Sequence, residues 1–152
     1  MAVSGYGDAN AGGYSLQLAT DDHGNSSLDA TPLVVPDVAS VVIERADDLD
    51  FFEFAAVAGT TLEFGVDAGP GGNSVLSLYD SDGVSILVTD DDGGVDAGSR
   101  VVWTFATTDT YYLHVEGDVT TAPFSLNAAE IPTPIDDHGS AAGPATMVAG
   151  PS

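Results

Sequence analysis

Asp50-Phe51-Phe52-Glu53-Phe54-Ala55-Ala56-Val57-Ala58-Gly59-Thr60-Thr61-Leu62-Glu63-Phe64-Gly65-Val66 carries the pattern that decides the fold. Apolar residues recur at every second position on either side of Ala58-Gly59, which is the period of a strand whose one face is buried. The gap between the runs has turn chemistry, so the stretch reads as two strands, 51–57 and 61–66. The same period continues outward. Strands are expected at Val41 to Arg45, 75–79, 85–89, 100–105, 110–115 and 123–127. Asp82-Gly83, Asp92-Gly93-Gly94 and Glu116-Gly117-Asp118 punctuate the gaps. No stretch of ten residues has helical periodicity. About eight short strands with regular turns predict an all-β, antiparallel β-sandwich of jelly-roll or Greek-key type. Parity assigns Phe52, Phe54, Leu62, Phe64, Val66, Leu76, Leu78, Tyr111, Leu113, Val115, Phe124 and Leu126 to the core. Tyr112, His114 and Glu116 then face outward.

Charge bounds the partners. The chain has 24 acidic residues against two arginines, Arg45 and Arg100, and no lysine, for a net charge of −22. That field repels DNA, RNA and anionic membranes, so no nucleic-acid partner and no membrane insertion is expected. An apolar fraction of 43% in short alternating runs argues against disorder and for a folded domain with a charged coat. Such a coat destabilises the compact state unless cations screen or bind it. It therefore implies a salt-rich (halophilic) or calcium-rich setting, either extracellular or the cytoplasm of a salt-accumulating cell. There is no cysteine, which removes disulfides and thiolate zinc sites. No apolar run is long enough for a membrane span, and no export signal opens the sequence; Met1 reads as the start of an excised fragment.

An internal repeat sets the domain boundaries. Asp21-Asp22-His23-Gly24 recurs as Asp136-Asp137-His138-Gly139, and Ala30-Thr31 as Ala145-Thr146, at an offset of 115. That is the length of a small β-domain and not of a solenoid unit. Residues 1–19 read as the last strands of a preceding repeat, 20–130 as a complete sandwich, and 131–152 as the flexible head of a following one. Neighbouring repeats of the same protein are the expected partners.

Asp50-Phe51-Phe52-Glu53-Phe54, Ala58-Gly59-Thr60, Leu76-Ser77-Leu78-Tyr79-Asp80-Ser81-Asp82-Gly83, Asp91-Asp92-Gly93-Gly94 and Thr110-Tyr111-Tyr112-Leu113-His114-Val115 occur in this order. Together they resemble the bacterial pre-peptidase C-terminal domain, and the collagen-binding domains of clostridial collagenases are similar in pattern. The resemblance spans roughly residues 21–129. It implies a jelly-roll-like sandwich attached to secreted proteases or other exported proteins, secreted or at the cell surface, and without catalysis of its own. Some members bind calcium and some bind insoluble polymers. The basic residues of the collagen-binding members are missing here.

Calcium takes six to eight oxygens from carboxylates, amides, carbonyls and water. In the calcium-binding relatives an acidic-plus-Asn head segment meets an Asp-x-x-Asp turn before the aromatic strand. The matching residues are Asp21, Asp22 and Asn25 in the head and Asp47, Asp48 and Asp50 in the turn. Calcium is the expected cofactor there; the alternative is that these aspartates mark turns on a salt-adapted surface. Asp90, Asp91 and Asp92 form another acidic run, with a turn favoured and a second metal site the alternative. Asp80-Ser81-Asp82-Gly83 lacks the rest of a calcium loop and reads as a hairpin turn. His23 and His138 belong to different repeats and His114 to a strand, so the histidines make no zinc site. No Gly-x-Ser-x-Gly elbow supports a hydrolase. Trp103, Tyr112 and His114 form a candidate face for an extracellular polymer, which makes adhesion the rival to a purely structural role.

Overall fold

A computed structural model describes residues 20–117 and 123–134. They form nine strands: β1 (Thr31–Pro32), β2 (Asp37–Val41), β3 (Asp50–Ala56), β4 (Thr61–Asp67), β5 (Ser74–Tyr79), β6 (Ile86–Asp90), β7 (Arg100–Thr104), β8 (Asp109–Gly117) and β9 (Phe124–Ile131). One sheet has the order β1-β3-β8-β5-β6 and the other β2-β9-β4-β7. The chain changes sheet at every connection except β5 to β6, so each strand's apolar row meets a row from the other sheet. There is no helix among the described residues, and hence none long and apolar enough to cross a membrane. The expected preceding and following repeat segments fall almost wholly outside the described residues.

The all-β sandwich stands, with four differences of detail. There are nine strands, because Thr31–Pro32 pairs with Phe52 and Glu53 as a two-residue edge strand. That pairing is parallel, whereas every other one is antiparallel. The strand expected at Val41 to Arg45 lies earlier, at Asp37–Val41. Its ladder ends at Val41 because the partner there, Phe124, is the first residue of β9. Beyond that point Val42 to Leu49 has no strand to pair with and loops toward β3. Asp50, expected in the turn, is the first residue of β3.

All twelve residues assigned by parity to the core are buried. Phe54 of one sheet meets Phe64 of the other at a ring-centroid separation of 4.7 Å, and Phe105 packs on Tyr111 at 4.5 Å. Burying a side chain of this size contributes about 1.5–3 kcal/mol. Ile43 stays in the core after the β2 ladder has ended, so hydrophobic burial holds the departing loop on the sandwich.

Phe54→Ala, at the contact between sheets, should lower the unfolding free energy by about 3–5 kcal/mol. Val57→Ala, on the exposed rim, should change it by no more than about 0.5 kcal/mol. Urea titration followed by tryptophan fluorescence of Trp103 measures both.

Candidate metal centre

Alternation along β3 sends Phe52, Phe54 and Ala56 inward, and Asp50 shares their parity. Its carboxylate therefore enters the end of the core row and is fully buried. Neither oxygen has a hydrogen-bond partner among the described residues. An unpaired buried carboxylate is among the costliest groups a fold can hold. Around it, Asp48 comes from the turn before β3 and is also buried, with Oδ1 lacking a hydrogen bond. Its other oxygen accepts from the Glu44 backbone N–H at 2.9 Å. The nearest cation to Asp48 Oδ1 is the Arg45 guanidinium, at 3.5 Å, a distance too long for a good hydrogen bond.

The head segment closes the cluster. Carboxylate oxygens of Asp21, Asp48 and Asp50 lie within 4.8 Å of one another, as do those of Asp21, Asp22 and Glu44. The two groups share Asp21. Asn25 donates its amide N–H to Asp21, and its carbonyl oxygen accepts from the Leu49 backbone N–H at 3.3 Å. His23 pins the segment to both sheets. Its Nε2–H donates to the Ser40 carbonyl of β2 at 2.7 Å, and Nδ1 hydrogen-bonds the Thr31 hydroxyl of β1 at 3.0 Å. The ring also rests 4.5 Å from that of Phe52. Gly24 bridges Phe51, and its carbonyl accepts the Phe51 N–H at 2.8 Å. A Cβ at Gly24 would fall 1.9 Å from the Asp29 carbonyl oxygen, so only glycine allows this fold-back.

The electrostatics are those of crowded carboxylates. Burial, reinforced by the charges of Asp22, Asp48, Glu44 and Asp21, pushes Asp50 up to about 8. Burial, followed by the adjacent Asp48, pushes Glu44 up to about 7. Asp22 is also raised by burial, against the opposing influence of His23. The donor set is all oxygen, since both His23 nitrogens are engaged. Hard cations with oxygen ligands fit such a set, and calcium tolerates its irregular, multi-carboxylate form better than magnesium.

The sequence expectations fare unevenly here. Asp21, Asp22, Asp48 and Asp50 converge, with Asn25 tying head to turn. Asp47 does not: its side chain is 90% exposed, with its carboxylate 3.5 Å from the Arg45 guanidinium. Glu44 joins the cluster although the sequence pattern places it in a strand. The Val41 to Arg45 run looks like a strand, and only the start of β9 reveals that Glu44 lies in a loop.

The acidic run after β6 is built as a turn. Asp90 Oδ2 accepts from the Gly93 and Arg100 backbone N–H groups at 2.8 and 2.7 Å, and Asp91 and Asp92 are exposed. Asp82 likewise accepts from Val84, Ser85 N–H and the Ser85 hydroxyl in the β5–β6 hairpin. The aromatic face does not assemble. Trp103 is on β7 with the inward parity of Val101 and packs against the core, whereas Tyr112 and His114 lie on β8 in the other sheet. His114 points outward as parity requires but is buried, because Phe51 stacks on it at 4.9 Å with planes 5° apart.

No family model matches the chain, and no curated protein matches it. Among solved structures, it is similar to the pre-peptidase C-terminal domain of collagenase from Bacillus anthracis. That likeness has 16% identity and a TM-score of 0.54, covering 66% of this chain and 94% of the other. Aeromonas hydrophila PliG, a periplasmic inhibitor of g-type lysozyme, also matches, with 12% identity and a TM-score of 0.43 over 67% of this chain and 97% of that one. The first likeness is one of fold: the sandwich has the architecture of the pre-peptidase C-terminal domain.

Raised carboxyl groups fix the pH response of the cation-free protein. The fold holds the protons of Glu44 and Asp50 more tightly than the unfolded chain does, so stability falls as pH rises. The stabilisation is fully present below the ordinary carboxyl range and is lost as pH climbs to about 7 for Glu44 and about 8 for Asp50. His114 is held below its ordinary value by burial and acts in the opposite direction, but only below about pH 6.5. In chelator, the melting temperature should therefore fall as pH rises from about 5 to about 8 and level off above that. Thermal unfolding by circular dichroism checks it, and Asp50→Asn should flatten the drop.

Proposed function

We propose that this domain is a non-catalytic, calcium-stabilised module of a larger secreted or surface protein, with a structural role in joining the chain before it to the sandwich. The observation that carries the reading is Asp50. Its carboxylate is fully buried, has no hydrogen-bond partner among the described residues, and faces Asp21 and Asp48. A fold that keeps such a group gains by supplying a cation to it. Calcium bound there would supply the positive charge that the two arginines do not.

Asp21, Asp48 and Asp50 would hold the cation, with Asp22 and Glu44 on the outer side. The mechanism is mechanical. Asp21 and Asp22 belong to the head segment, Glu44 and Asp48 to the β2–β3 loop, and Asp50 to β3. A cation shared among them fixes all three to one another. His23 and Gly24 already align the head, so little ordering remains for the cation to impose. The recurrence of Asp-Asp-His-Gly at 136–139 supports the same joint in a following repeat.

The similarity to a pre-peptidase C-terminal domain supports a second placement within this reading, as an accessory domain of a secreted peptidase. An accessory role also accords with the His23 side chain, whose nitrogens are spent on Thr31 and Ser40 and not on a nucleophile. Adhesion through Trp103, Tyr112 and His114 has less support, since these residues belong to different sheets.

Millimolar calcium should raise the melting temperature well above the rise given by magnesium or by sodium chloride of matched ionic strength. A ligand at a hundred times its Kd contributes about 2.7 kcal/mol. Asp50→Asn and Asp21→Ala should abolish the calcium-specific part, while Asp82→Ala and Asp91→Ala should keep it. An equal rise with every salt would mean that the acidic coat is only screened, and the reading would fall.

A further inference from the structure

The outer face of the four-stranded sheet carries a cavity of about 460 Å³ on the side away from the metal-binding cluster's β3. Its floor is Gly65, in the middle of β4. Glycine weakens a strand interior, and where it persists something often approaches the backbone closely. Nothing in the sandwich demands it: Gly65 has no positive φ, and a Cβ there would meet no atom nearer than 3.9 Å. The missing side chain leaves a gap in an otherwise continuous face.

Polar groups flank that gap on both sides. Gly65 is in register with Arg100 on β7 and with Asn127 on β9. One rung along β4, Glu63 takes the Arg100 guanidinium in a two-pronged pair at 3.0 and 2.7 Å. Two prongs use Nε and one Nη2 hydrogen and leave further N–H donors free. Asn127 is exposed, and its amide carries both a donor and an acceptor. Val95, 72% exposed, overhangs from the β6–β7 loop as an apolar rim.

The charge pattern selects the ligand class. Arg100 and Glu63 neutralise each other, and Asp67 is engaged by the Gly69 N–H at 2.9 Å. No unpaired cation faces the gap to draw an anion toward a chain of net charge −22. Among the described residues no cluster of carboxylates faces the gap to take a metal. What remains is an array of hydrogen-bond donors and acceptors, the Asp67 carboxylate among them, beside an apolar rim. Neutral sugars have that complementary chemistry, with hydroxyls at the ring edge and C–H groups on its faces. We infer that the Gly65 gap, flanked by Arg100–Glu63 and Asn127, is a binding subsite for a neutral polysaccharide. The inference does not depend on calcium binding.

The test is a titration of the isotope-labelled protein, in calcium and high salt, with cellohexaose, chitohexaose and laminarihexaose, and with trilysine as the basic comparison. At least one hexasaccharide should move the backbone amide signals of Gly65, Gly94 and Asn127. Gly65→Val, which suits a strand and fills the gap, should weaken that binding by about tenfold or more without lowering the melting temperature. Asn127→Ala, at an exposed position, should weaken it as well and carries the result if Gly65→Val proves unstable. Silence toward all three sugars, a response to trilysine instead, or parental affinity in both variants would overturn the subsite.

Discussion

Asp50 continues the row of Phe52, Phe54 and Ala56 into the sandwich, and its carboxylate finds no hydrogen bond there among the described residues. A strand cannot choose the direction of one side chain without flipping all the others. The apolar residues of β3 therefore force Asp50 inward, and Asp50 in turn dictates what must gather around it. The β2–β3 loop brings Asp48 and Glu44, and the head segment brings Asp21 and Asp22. These groups repel one another, which is why the local fold is held by other means. Ile43 anchors the loop, His23 fastens the head to both sheets, and Gly24 pairs with Phe51.

The core was legible because burial and strand period are the same signal. Each of the twelve residues assigned by parity lies in a strand with one dry face. The same rule would have placed Asp50, which the sequence reading assigns to the turn: it sits two residues before Phe52 and shares its parity. Asp21, Asp22 and Asn25 could be read from the repeat and the family pattern. Glu44 could not, since its role depends on where β9 begins, 80 residues away at Phe124. Thr31–Pro32 is too short to show a period. Trp103 misled because an aromatic residue at the end of a strand looks the same whether it packs under a loop or faces solvent. His114 misled because parity gives direction and not cover; the cover comes from Phe51 on the neighbouring strand.

Two acidic segments that look alike in sequence have opposite fates. At Asp80–Asp82 and Asp90–Asp92, the first or last aspartate accepts backbone N–H groups and finishes a turn. The carboxylates at Asp48 and Asp50 are buried with oxygens left over. Composition cannot separate the two, but satisfaction of the oxygens does. The distinction explains how a chain with 24 acidic residues can, among the described residues, concentrate its electrostatic strain at one place.

The two arginines are both held by carboxylates, Arg45 near Asp47 and Asp48 and Arg100 by Glu63. With no lysine anywhere, they are also the only points at which a trypsin-like protease could cut the whole 152-residue chain. Such an enzyme must extract the basic side chain into its specificity pocket and draw the flanking backbone out straight. At Arg100 that means stripping β7 from its sheet. Of the two sites, the one at Arg100 is therefore withheld by the sheet itself for as long as the sandwich stays folded.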